Sequence, residues 1–88
     1  MEEKNFTVKN KLGFHARAAA MLVENISKYS SDVTIVKNGR EVDGKSIMGI
    51  MTLAAGQGAN ITVRAEGEDE NEVLEKIEEL IERKFDED

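Results

Sequence analysis

The dipeptide Asn38-Gly39 lies between two extended runs, "SSDVTIV" and "REV". Both residues accept positive φ readily, so a two-residue type I′ turn here pairs residues 32–37 with 40–43 as an antiparallel hairpin. Two further segments alternate apolar and polar side chains. "NFTVK" puts Phe6 and Val8 on one side, and "NITVRAE" does the same with Ile61, Val63 and Ala65. Each strand has one apolar face, so the sheet needs cover on one side only.

The cover recurs at helical spacing. From Ala16 to about Tyr29, the side chains Ala19, Leu22, Val23 and Ile26 form one stripe. "SIMGIM" is a short apolar segment for which Ser46 is a good N-cap, and "AAGQG" after it is a loop. The last helix opens with Asp69 and Glu72 in an Asx-x-x-Glu pattern. It carries Val73, Leu74, Ile77, Leu80, Ile81 and Phe85 on its apolar side. Glu72 with Lys76 and Glu79 with Arg83 are favourable i,i+4 pairs on its wet side. The order strand, helix, strand, strand, short helix, strand, helix predicts a two-layer, open-faced sandwich, with three helices on one face of the sheet. No linker or repeat divides the chain, so residues 1–88 are expected to form one domain.

Composition removes several classes of function. There is no cysteine, hence neither disulfide nor thiolate metal site. No apolar run approaches the ~20 residues that span a bilayer, and "MEEKNFTV" lacks the apolar core of a secretory signal. These features point to a cytoplasmic protein without membrane insertion. The net charge of −6 is unevenly spread. Residues 65–88 hold twelve acidic and three basic side chains, whereas residues 1–64 hold six and nine. The acidic tail argues against nucleic-acid binding. The mildly basic remainder, including Lys11, Arg17 and Lys45, suits an acidic protein partner.

Two stretches carry candidate chemistry. In "KLGFHARAAAML" the only histidine, His15, stands at the mouth of the first helix, with Gly13 before it and Arg17 after it. The unpaired N–H groups of Ala16 and Arg17, the positive helix end and the Arg17 fork can hold a phosphoryl group carried on the imidazole. Imidazole is both a good nucleophile and, once protonated, a good leaving group. Spacing alone equally allows His15 to be a plain cap and Arg17 a surface residue. One histidine without cysteine does not build an ordinary zinc site, and a serine–histidine hydrolase lacks a third group to orient its base. In "KSIMGIM", Ile47, Met48, Ile50 and Met51 cannot all face the core from so short a helix. The exposed ones then form a docking patch of flexible methionines, with Gly49 allowing a partner's close approach; the alternative is that all are core residues with one gap-filling Met. Ser46 is a cap first, and a regulatory phosphorylation site in the sharper reading.

"LGFHARAAA" and "DGKSIMGIM" together closely resemble the HPr family, the histidine phosphocarriers of the bacterial phosphotransferase system. The resemblance covers the whole chain. It implies an α+β fold with a four-stranded antiparallel sheet covered on one face by three helices. It also implies that His15 accepts a phosphoryl group on Nδ1 from phosphorylated Enzyme I and passes it to an EIIA-type domain. By the same match Arg17 steadies the phosphoryl group, and Ile47, Met48 and Met51 belong to the docking surface. Ser46 falls on the position modified by a dedicated ATP-dependent kinase in some bacteria. The carrier is implied to need no cofactor or metal, Mg²⁺ being required only at the donor enzyme, and to act as a monomer rather than as a stand-alone enzyme. Ala18 stands where the sugar branch of the family usually has proline, which resembles the nitrogen-related branch and leaves the acceptor open. The rival reading is an interaction module that uses the Met48 patch, switched at Ser46, with His15 idle.

Overall fold

In a computed structural model, which describes residues 1–87, the Asn38-Gly39 turn forms with φ of 51° and 82°. It joins β2 (Asp32–Lys37) to β3 (Arg40–Asp43), with Thr34 opposite Asp43 and Lys37 opposite Arg40. The remaining elements are β1 (Glu2–Thr7), α1 (Ala16–Ile26), α2 (Ile47–Thr52), β4 (Asn60–Glu66) and α3 (Glu70–Glu82), followed by a single turn at Lys84–Asp86. The sheet is antiparallel throughout, in the order β1-β4-β2-β3. Period-two alternation sets its register. Phe6 stands opposite Ile61 and Ile35 opposite Val63, all on the face covered by the helices. The other face is polar, where Thr62 donates to Asn5 and Arg64 pairs with Glu3 and Glu41. This is the expected four-stranded sheet with three helices on one side. No helix among the described residues is long and apolar enough to cross a membrane.

Several details differ from expectation. β1 lies earlier than "NFTVK", and Val8 follows it, buried, with its N–H on the Ala59 carbonyl. α1 ends at Ile26 rather than near Tyr29. Ser27 turns its hydroxyl back onto the Val23 carbonyl, and the Lys45 amine takes the Tyr29 carbonyl, so the chain leaves the helical path. Asp69 does not cap α3 with its side chain. Its carboxylate accepts from Ser30 N, Ser31 N and Ser31 Oγ, tying the start of β2 to the start of α3. Glu70 instead reaches back to the Gly67 N–H at 3.1 Å. Lys76 pairs with Glu79 rather than Glu72, while the expected Glu79–Arg83 pair forms at 2.7 Å.

The largest departure is at the C-terminal end. The apolar stripe of α3 runs to Ile81, but the helix stops before Phe85. Lys84, Phe85 and Asp86 all have positive φ (56°, 52° and 59°), a left-handed turn without glycine. Such residues cost about 1–2 kcal/mol each. Burial of Phe85 offsets part of this at about 1.5–3 kcal/mol. Its edge-to-face contact with Phe14, centroids 5.9 Å apart, adds about 0.5–1.5 kcal/mol. The turn also aims Glu87 back across the mouth of α1.

Candidate functional site

His15 is the N-cap residue of α1, in extended conformation (φ −76°, ψ 177°). Its carbonyl accepts the first helical bond, from Ala19, but its side chain makes no capping bond. The N–H groups of Ala16 and Arg17 open the helix and have no partner within it. Two contacts hold the preceding loop. Phe14 N–H donates to the Ala55 carbonyl at 2.9 Å, and the Asn10 amide donates to the Gly13 carbonyl at 2.7 Å. Gly13 is required twice over. It has φ of 65°, and a Cβ there would come within 2.2 Å of the Ala55 oxygen.

The imidazole is oriented by a residue at the opposite end of the chain. His15 Nε2 lies 2.7 Å from Glu87 Oε2, and the two side chains are 28% and 12% exposed. An ionised carboxylate only accepts, so Nε2 carries the proton. In the neutral ring Nδ1 then holds the lone pair, and it makes no hydrogen bond among the described residues. The His15 ring borders a shallow groove with Leu12, Phe14 and Ala54–Gly56. A neighbouring groove is lined by Lys11, Leu12, Arg17, Asp86 and Glu87. Arg17 is exposed and makes no hydrogen bond or ion pair among the described residues. Asp86 is held below the ordinary carboxylate range, chiefly by its bond to Arg83 and also by the nearby Arg17 charge. No cluster among the described residues could hold a metal ion.

A free imidazole nitrogen at a helix mouth with open N–H groups, and an uncommitted guanidinium lining the neighbouring groove, suit a transferable phosphoryl group. The family model for the "PTS HPr component phosphorylation site" matches residues 2–83. The chain belongs to the HPr family. It is similar to phosphocarrier protein HPr of Xylella fastidiosa (strain Temecula1), with 53% identity over 100% of this chain and 99% of that protein. Against phosphocarrier protein HPr of Cupriavidus necator, identity is 45%, covering 97% and 96% of the two chains. The crystal structure of HPr-C-His from Thermoanaerobacter tengcongensis superposes with a TM-score of 0.95 at 45% identity, covering 100% and 99% of the two chains. The chain is thus an HPr-type phosphocarrier of the phosphotransferase system.

The second motif falls beside the first. α2 leads directly into the Ala54–Gly56 stretch that lines the His15 groove. Ile50 is fully buried, while Ile47, Met48 and Met51 are exposed, Met48 at 73%. Ser46 caps α2, its Oγ accepting from Gly49 N at 3.0 Å. The missing side chain of Gly49 faces Ser46 and Val42. A Cβ there would press inward on Ser46 Oγ at 3.2 Å and Val42 Cβ at 3.4 Å. Sequence reasoning missed three contributors, Asn10, Leu12 and Glu87. Leu12, at 64% exposed, extends the apolar surface next to the imidazole. Its position in "KLGFH" was the available signal. Nothing local to Glu87 marks it, because its partner lies 72 residues away.

The Glu87 carboxyl is held below its ordinary value of 4.5, first by the hydrogen bond from His15 and then by those from Asn10 and Leu12, against the opposing effect of desolvation. Asp69 is lowered in the same sense by the Ser31 hydroxyl and the Ser30 N–H. A depressed carboxylate contributes stability above its unfolded value and loses it as pH falls through the folded one. The melting temperature is therefore expected to be flat from neutral pH down to about 5 and to fall below about 4.5. A calorimetric series from pH 7 to 3 checks this, and a melting temperature unchanged at pH 3 would contradict the assignment.

Proposed function

We propose that this chain relays a phosphoryl group from phosphorylated Enzyme I to an EIIA-type domain through His15, acting as a monomer in the cytoplasm and without a cofactor of its own. The observation that carries this reading is the free Nδ1 of an imidazole whose Nε2 is already occupied. The Nδ1 lone pair forms the N–P bond as the donor's bond to phosphorus breaks and its electron pair leaves with the donor. Onward transfer reverses these roles. Arg17 and the N–H groups of Ala16 and Arg17 meet charge on the phosphoryl oxygens. The test is incubation with labelled phosphoenolpyruvate and Enzyme I, then acid treatment. Acid-labile label on His15 is the expected result, and an intact fold without label refutes the relay.

Ile47, Met48 and Met51 form the surface on which donor and acceptor dock in turn, an apolar patch supporting exchange between partners. Met48→Asp places an unpaired charge in that interface and is expected to weaken affinity for both partners by tenfold or more, since each 1.4 kcal/mol is about tenfold. Calorimetric titration checks this. Because Met48 projects into solvent, the melting temperature should hardly move.

Ser46 is the regulatory site, a target for a serine kinase and phosphorylase. A negative charge there meets the positive end of α2, a contact worth about 0.3–1 kcal/mol, so the fold keeps its stability. The same charge sits at the rim of the docking patch and repels an acidic partner. Ser46→Asp is expected to raise the apparent KM for Enzyme I, with the defect shrinking as salt is added. Unaltered transfer at low ionic strength would leave Ser46 a helix cap only.

A further inference from the structure

Glu87 occupies a built position, not a chance surface contact. Its Oε2 lies 2.7 Å from both His15 Nε2 and Asn10 Nδ2, and its Oε1 is 3.4 Å from Leu12 N. Asn10 is fully buried, and its amide N–H groups serve the Gly13 carbonyl and Glu87 at once. The opposite atom, Asn10 Oδ1, is left without a hydrogen-bond partner among the described residues. An orphaned buried acceptor costs about 1–3 kcal/mol. Turning the amide over would satisfy nothing, since Oδ1 would then face two acceptors. The local structure therefore keeps an unsatisfied atom and three left-handed residues, and both place the Glu87 carboxylate on the imidazole.

We infer that Glu87 is a positioning residue for phosphoryl transfer: by accepting the hydrogen bond from Nε2–H it aims Nδ1 at the groove and steadies positive charge on the ring while the N–P bond forms or breaks. The inference rests on His15 being the acceptor. As Nδ1 commits its lone pair to phosphorus, the ring gains imidazolium character, and the proton stays on Nε2 against the carboxylate. The same charge makes the ring a good leaving group when the N–P electron pair returns to Nδ1. The other charged groups that line the groove beside Glu87, among the described residues, are Lys11 from the loop, Arg17 from α1 and Asp86 from the turn. None of these touches Nε2, and the 54–56 segment on the other side is uncharged. Among the described residues Glu87 alone bonds to the ring.

The test compares the full chain with Glu87→Gln, Glu87→Ala and, as a control, Glu82→Gln, whose side chain pairs with Lys9 at the surface. In the unphosphorylated protein, nitrogen-edited NMR of the His15 ring is expected to show a low-field Nε2–H signal protected from solvent exchange. The signal should move upfield and exchange faster in Glu87→Gln and vanish in Glu87→Ala. The rate constant of phosphoryl transfer is expected to fall about ten- to a hundredfold with KM for the donor unchanged, the scale seen when a metal-bound histidine loses the outer-shell partner that orients it. The control should behave as the parent in both measurements. An Nε2–H signal and transfer rate constant unaffected by either Glu87 substitution would overturn the inference. If the parent chain accepts no phosphoryl group, the relay reading fails on its own, and the NMR signal still decides whether Glu87 holds the ring.

Discussion

Replacing His15 with alanine is expected to remove phosphoryl acceptance entirely while leaving the fold standing. The chain has no second imidazole to substitute, so no partial activity should survive. The structural cost is small because the side chain makes no capping bond, and α1 is held by Ala18, Ala19, Leu22 and Ile26 in the core. What is lost is the bond to Glu87, which keeps its contacts with Asn10 and Leu12. A loss near the average for single substitutions, about 1 kcal/mol, is the expected scale. Acid-labile labelling and a thermal melt on one preparation check both halves. Label retained in the alanine variant would remove His15 as acceptor, and a collapsed melt would make it a structural residue.

The sequence was most informative where physics is local. Alternation at Phe6, Ile61, Val63 and Ala65 specified which sheet face is buried, and the Asn38-Gly39 turn set the hairpin register. The Ser46 cap also depends on a short-range contact, with Gly49. Long-range choices were not legible. Asp69 carries a good capping side chain, but three donors from residues 30 and 31 compete for it and win. Phe85 continues the apolar period of α3, yet it reaches the core by leaving the helix, because Phe14 and Glu87 have destinations a continued helix would miss. The acidic tail illustrates the same limit at the site. Counted as charge it reads as a solvated helix face, and one of its carboxylates turns out to hold the single histidine.

Arg17→Ala should slow transfer about a hundredfold, the scale for removing a donor aimed at charge that develops during reaction, while changing partner affinity only a few-fold. The two effects separate because of where the guanidinium stands at rest. Arg17 lies one residue inside α1, exposed, with no hydrogen bond among the described residues, so its removal leaves no buried group unpaired. On the proposed relay its role begins when the phosphoryl group reaches Nδ1 and negative charge enters the groove that Arg17 lines with Lys11, Asp86 and Glu87. There the fork can meet two oxygens at once, in addition to the helix N–H groups. Asp86 is held chiefly by Arg83, which leaves the Arg17 guanidinium uncommitted at rest. Arg17→Lys should recover only part of the rate, because an ammonium supplies charge without the planar fork. Single-turnover transfer and calorimetric affinity, measured on the same variants, decide the matter. Equal losses in rate and affinity would make Arg17 a docking residue.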